Sequence, residues 1–158
     1  MNDDAILERL EQLDLELPPP PPAVAAYVPC VVHGDLAVVS GQVPIVDGAV
    51  LHPGHLGDRV DAQEGAEAAR RAALQALSAL RHALGGSFAR LERILQVTVF
   101  VAAEPDFVDH PKVANGASEL LVEVLGDWGQ HARAAVGMAS LPLGASVEVA
   151  VTAAVHPA

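Results

Sequence analysis

Apolar residues recur at helical spacing near the start of the chain, at Ile6, Leu7, Leu10 and Leu13, and predict a short amphipathic helix over residues 4–15. Five consecutive prolines follow, Pro18 to Pro22. Proline lacks an N–H and has a fixed φ, so this run fits neither helix nor ladder and predicts an extended polyproline II spacer. From Val24 to Ser40 the pattern turns β-prone, with Gly34-Asp35 as a hairpin dipeptide between Tyr27–His33 and Leu36–Ser40. Gly41-Gln42-Val43-Pro44 ends the second strand, and residues 45–60, punctuated by Gly and Pro, predict a loop.

The strongest period is helical, from Asp61 to Leu84. Asp61 and Glu64 form a capping-box pattern. Ala66, Ala69, Ala73, Leu74, Leu77, Leu80 and Leu84 make the apolar stripe, with Arg71, Gln75, Ser78 and His82 opposite and Gly85-Gly86 as the stop. Arg93 to Val101 is apolar on both faces, which predicts a central, covered strand. A second helix begins at Asp109 or His110 with Pro111 in its first turn, and runs to Gly126. Gly116 inside it predicts close approach of another backbone. Ala134–Ala139 and Val147–Val155 are the last strands, joined by a tight turn at Pro142 and Gly144. The order β-β-α-β-α-β-β predicts an α+β layer, with two helices on one face of a mixed sheet. Two units result: residues 1–22, a helix and spacer, and a domain over residues 23–158 expected to fold without them.

Composition narrows the function. The chain has 158 residues, 51% of them hydrophobic. That excess is most easily hidden in a subunit interface, since no apolar run reaches the length of a membrane span. The acidic start, Met1-Asn2-Asp3-Asp4, is unlike a secretory leader, and the single cysteine, Cys30, fits a reducing cytoplasm. A net charge of −11 with scattered Lys and Arg disfavours nucleic acid. His52 and His55, with only Asp58 nearby, fall short of the three or four converging ligands a metal needs, and no metal is expected.

The stretch from His131 to Gly144, running on into Val147–Val151, holds the candidate chemistry. Arg133 and Glu148 are its isolated charges. Read as a strand pair, the segment would bring its ends together, so the two charges need each other or a ligand. A structural ion pair is one reading. Ser40 lacks the G-x-S-x-G setting of a nucleophile.

Several pieces, in order, resemble the Rid family, also called YjgF-like, of enamine/imine deaminases, over about residues 24–156. They are Tyr27; Val39-Ser40-Gly41-Gln42-Val43-Pro44; Gln96–Val101 with Asp106-Phe107; Asn115; and Arg133 with Leu141-Pro142 and Val147-Glu148-Val149. The resemblance implies a chorismate-mutase-like fold, a homotrimeric barrel assembly and ligand clefts between subunits. It also implies hydrolysis of a reactive imine such as 2-iminopropionate, from 2-aminoacrylate, to a keto acid and ammonia, with no cofactor. Arg133 would then hold the substrate carboxylate through its planar fork, and Glu148 would orient water or shuttle a proton. Tyr27, Ser40, Gly41, Asn115 and Ala135 would line the cleft. Ala135 stands where active members often carry Cys, and an insertion lies around Asp109–Lys112. A non-catalytic carboxylate-binding protein and a ribonuclease are the competing readings.

Overall fold

The computed structural model describes residues 3–20 and 26–157. Pro21, Pro22 and Val24 of the expected spacer and first β-prone stretch lie outside them. Twelve-residue β5 (Leu91–Ala102) is the axis of a five-stranded sheet. Around it lie β1 (Cys30–His33), β2 (Leu36–Gln42), β7 (Val147–Val155) and β6 (Ala132–Met138), in the spatial order β1-β2-β7-β5-β6. Among the described strand pairs of this sheet, only β5–β6 is parallel. Parallel neighbours need a crossover, here helix α3 (His110–Leu125).

The expected hairpin between the last two strands is therefore absent. β5 lies between β6 and β7, and the Pro142–Gly144 turn is part of a connection that spans it. The apolar strand takes an interior place, with both edges paired, but β7 is the central strand and only one face of β5 is covered: Leu95 and Gln96 are exposed and Thr98 and Phe100 half-buried. By contrast, the β1–β2 hairpin forms as expected: His33 pairs Leu36 around Gly34-Asp35, and Gly34 takes a φ of +59°. β1 starts at Cys30, later than Tyr27, because Pro29 has no N–H to give a ladder. Burial pushes the Cys30 thiol up to about 11, which leaves it protonated at neutral pH.

Residues 45–60 are more ordered than a loop. β3 (Ile45–Val46) and β4 (Ala49–Val50) pair around Asp47-Gly48, both at positive φ. That is the type I′ turn that Asp-Gly favours, and the two-residue strands are too short to show a period. His52 is held by Glu67 (2.9 Å), and His55 bonds the Ala139 carbonyl (2.9 Å). Both histidines fasten this segment to its neighbours.

Helix α2 (Ala62–Ala83) carries the expected box, Asp61 Oδ1 accepting from Glu64 N and Glu64 Oε2 from Asp61 N. Its polar side does not face water as expected. Gln75 and Ser78 are buried; Gln75 accepts from Ile45 N, Arg71 donates to Ile45 O, and Ser78 donates to Pro18 O. Side chains expected to meet solvent instead dock the β3–β4 hairpin and the proline segment, leaving His82 exposed. In α3, a Cβ at Gly116 would collide with the Ala66 carbonyl of α2, so the close approach is real.

Helix α1 (Asp3–Gln12) does not behave as a detachable leader. Ile6 and Leu10 are each 3% exposed and belong to the one core cluster. Asp3 accepts from Phe88 N and Arg81, and Arg9 donates to the Glu123 carbonyl. Burial alone would raise the Asp3 carboxyl, but those donors hold it below its ordinary value. The prolines do not isolate α1, because the chain folds back along α2.

Buried Val147, Val149, Val151, Ala153 and Val155 show which face of β7 the helices cover. On the other face, Leu36, Val38, Val136 and Met138 stay exposed, with Phe100 and Thr98 half-buried. No helix is long and apolar enough to cross a membrane among the described residues.

Candidate active site

The sheet registers decide which candidates can meet. Glu148 pairs with Phe100 and Arg133 with Val97, three residues earlier on β5. Two strand spacings and three residues along the strand separate their Cα atoms by about 14 Å. They also face opposite ways. Arg133 shares its side with buried Val97 and reaches α3, whereas Glu148 alternates with the helix-facing valines of β7. The expected proximity of Arg133 and Glu148 within one chain is therefore wrong, and so is the ion pair. Its premise was a direct hairpin, and an intervening strand removes it.

Two half-sites result. The first is a cleft of about 510 Å³ lined by Tyr27, Ser40, Gly41, Gln75, Leu143 and Glu148, among others. A register shift between Val39 and Gln42 puts an extra residue into β2 opposite β7, a bulge at Ser40-Gly41. Gly41 needs its missing Cβ there, because the Glu148 Oε1 occupies the space a side chain would take. Ser40 donates to the Val28 carbonyl (2.7 Å), which fastens the segment bearing Tyr27 and engages the hydroxyl structurally. Tyr27 is half exposed at the rim. Burial raises the Glu148 carboxyl above its ordinary range.

The second half-site is the helix-facing side of edge strand β6. Arg133 NH1 donates to Asn115 Oδ1 (2.8 Å) and Ser118 Oγ (3.2 Å) of α3. Ala135, next on this face, packs against the core and does not line the first cleft. Gly137 follows, and the His110 ring fills the place of its Cβ. His110 stands edge-on to Phe107, ring centroids 5.2 Å apart. The segment around Asp109–Lys112 thus delivers a histidine onto β6.

The single cleft expected for Tyr27, Ser40, Gly41, Asn115, Arg133, Ala135 and Glu148 is divided within one chain: Tyr27, Ser40, Gly41 and Glu148 share one cleft, and Asn115 lies with Arg133 on the other face of the sheet. Sequence reasoning missed Ser118, His131 and Gln75. A signal existed for two: Ser118 is three residues past Asn115, hence on the same helix face, and His131 is two before Arg133, hence on the same strand side.

Comparison with known proteins gives this arrangement its relatives. Residues 8–155 match the family described as "YjgF/chorismate mutase-like, putative endoribonuclease". The chain belongs to the YjgF/chorismate mutase-like family. The match includes part of α1. A Trypanosoma cruzi relative, protein TCP17, is 41% identical over 145 residues, covering 91% of this chain and 90% of that one. Among YjgF-like folds of known structure, an Agrobacterium tumefaciens protein of unknown function is 41% identical, with TM-score 0.91 over 97% of this chain and 94% of its own. A "putative endoribonuclease" from Shewanella oneidensis is 32% identical, with TM-score 0.90 over 94% and 98%. The 97% coverage by the Agrobacterium protein leaves too few residues unmatched to omit the whole of α1.

Proposed function

We propose that the protein is a cytoplasmic, homotrimeric enamine/imine deaminase that hydrolyses small 2-imino carboxylates, such as 2-iminopropionate, at clefts between subunits. The observation that carries this reading is the half-buried Glu148 carboxyl seated over Gly41 in an open cleft, its proton affinity raised by burial. A carboxyl shifted in that direction is a better proton acceptor from water than an ordinary surface one. The imine carbon is already electrophilic, so the site has to orient substrate and one water. Water adds to the carbon as Glu148 takes one of its protons and passes it to nitrogen; the hydroxyl proton of the resulting carbinolamine then follows to nitrogen by way of Glu148, the C–N bond breaks, and ammonia leaves as the carbonyl forms.

Arg133 supplies the carboxylate anchor. About 14 Å and a sheet separate it from Glu148 in one chain, too far for one three-carbon ligand. Adjacent subunits each contributing one residue would solve this, and the helix-free, partly apolar sheet face supports such an assembly. The name endoribonuclease attaches to relatives; here 9 Lys and Arg against 20 Asp and Glu oppose phosphate binding. One observation favours a second reading, a non-catalytic carboxylate binder: Ala135 offers no thiol.

The test is ammonia release from a freshly generated imino acid by wild type, Arg133→Lys and Arg133→Ala, with circular dichroism and sedimentation alongside. Wild type should turn over and sediment near three times the 16.3 kDa chain mass. Arg133→Ala should be inactive but folded. Arg133→Lys should be impaired, since it keeps the charge and loses the fork. A bidentate charged pair is worth about 1.5–3 kcal/mol, or roughly ten- to a hundredfold in affinity. Equal turnover by folded variants would refute the anchor, and a 16.3 kDa species would refute the shared cleft.

A further inference from the structure

The Arg133 guanidinium is held from one side, and the chemistry of each partner fixes the next. Arginine has donors only. NH1 lies 2.8 Å from Asn115 Oδ1 and 3.2 Å from Ser118 Oγ, so both oxygens accept from it. The single Ser118 proton then points elsewhere, and His131 Nε2 is 3.0 Å from Oγ. That nitrogen is the bare acceptor. The other ring nitrogen, Nδ1, lies 2.6 Å from the Gly129 carbonyl, which can only accept, so the ring proton sits on Nδ1. The base of the row is firm as well: Gly129 is buried, and a Cβ on it would meet the Leu121 carbonyl of α3.

Both NH1 hydrogens are thereby committed. Among the described residues nothing accepts from the Nε–H and NH2 hydrogens, and they form a parallel pair along one edge of the planar group, matched to the two oxygens of a carboxylate. We infer that Ser118 and His131 are positioning residues that hold Arg133 by NH1, so that its Nε–NH2 edge receives a 2-oxo or 2-imino carboxylate side-on. This rests on the reading of Arg133 as the anchor. It adds which edge binds, and why an arginine on a sheet edge is preorganised: a side chain already fixed loses less freedom when the ligand arrives.

The probe is pyruvate, titrated calorimetrically against the intact protein as wild type, Ser118→Ala, Ser118→Thr, His131→Phe and Arg133→Ala. The Arg133 Nε–H resonance is followed by ¹⁵N NMR without ligand. Loss of one link should weaken pyruvate binding roughly three- to tenfold in Ser118→Ala and His131→Phe. Ser118→Thr restores the hydroxyl and should bind as wild type. Rotation of the guanidinium about Nε–Cζ should be slow in wild type and Ser118→Thr and fast in the other two Ser118 and His131 variants. His131→Phe keeps ring volume and tests the row if Ser118→Ala does not fold. Wild-type binding and unchanged rotation in Ser118→Ala and His131→Phe would overturn the positioning inference alone. Pyruvate binding retained by Arg133→Ala, or absent from wild type, would overturn the anchor reading, while the rotation data would still judge the hydrogen-bonded row.

Discussion

Gly41→Ala separates the chemistry of the first half-site from the stability of the fold. Gly41 does not sit at positive φ, so alanine meets no backbone penalty there. A stiffer unfolded chain would by itself stabilise the protein by about 0.4–1 kcal/mol. The new methyl, however, lands on Glu148 Oε1, with the carboxyl and Cγ carbons close behind. Ordinary carbon contacts are near 3.5 Å, so the carboxylate has to retreat by roughly 1–2 Å. It is the free end of a flexible side chain, so it can move cheaply. Displacement of a catalytic group by that much costs about a hundredfold in rate. Thermal unfolding should thus stay within a few degrees of wild type, while ammonia release from 2-iminopropionate falls by about two orders of magnitude. A folded Gly41→Ala with full turnover would show that Glu148 need not occupy the place where the bulge holds it, and the catalytic assignment would fall.

Two further outcomes follow from burial. Leu10→Ala should cost about 2–5 kcal/mol, because it empties a packed site between α1 and the core; a thermal midpoint unchanged by this substitution, or by removal of residues 1–17, would show α1 to be dispensable. Glu148→Gln should change the pH dependence of stability. Burial raises the folded-state value, so wild type gains relative stability at pH below the ordinary carboxylate range and loses it as pH rises through the raised value. Chemical denaturation should show Glu148→Gln more stable than wild type at neutral pH, with the gap closing towards pH 4; the opposite sign would contradict a desolvated carboxyl.

Elements governed by local chemistry were legible from the chain. The Asp61–Glu64 box, the Gly34 turn and the Gly85-Gly86 stop are written in neighbouring residues. Gly116 was legible too, since a glycine inside a helix needs a reason, and the Ala66 carbonyl is that reason. Non-local choices were not. Nothing in β6 or β7 alone says that β5 will lie between them, and that one insertion parts Arg133 from Glu148. Gln75 and Ser78 read as a water-facing side because hydrophobic period records polarity, not which polar partner waits opposite. The five prolines suggested a tether, yet the two leucine-rich turns before them fill a groove of the core.

The pairing of β2 with β7 has a consequence for synthesis. Leu36 is matched to Ala154, so the second strand to leave the ribosome waits for the last. Until residues 147–155 emerge, β2 and β5 each present a bare apolar edge to the other nascent and finished chains around them. Domains form as units during translation, and here the unit closes only when Val147–Val155 are free of the exit tunnel. A message cut short after Gly144 would therefore yield two unjoined sheet fragments, with helix α2 covering a gap where β7 belongs.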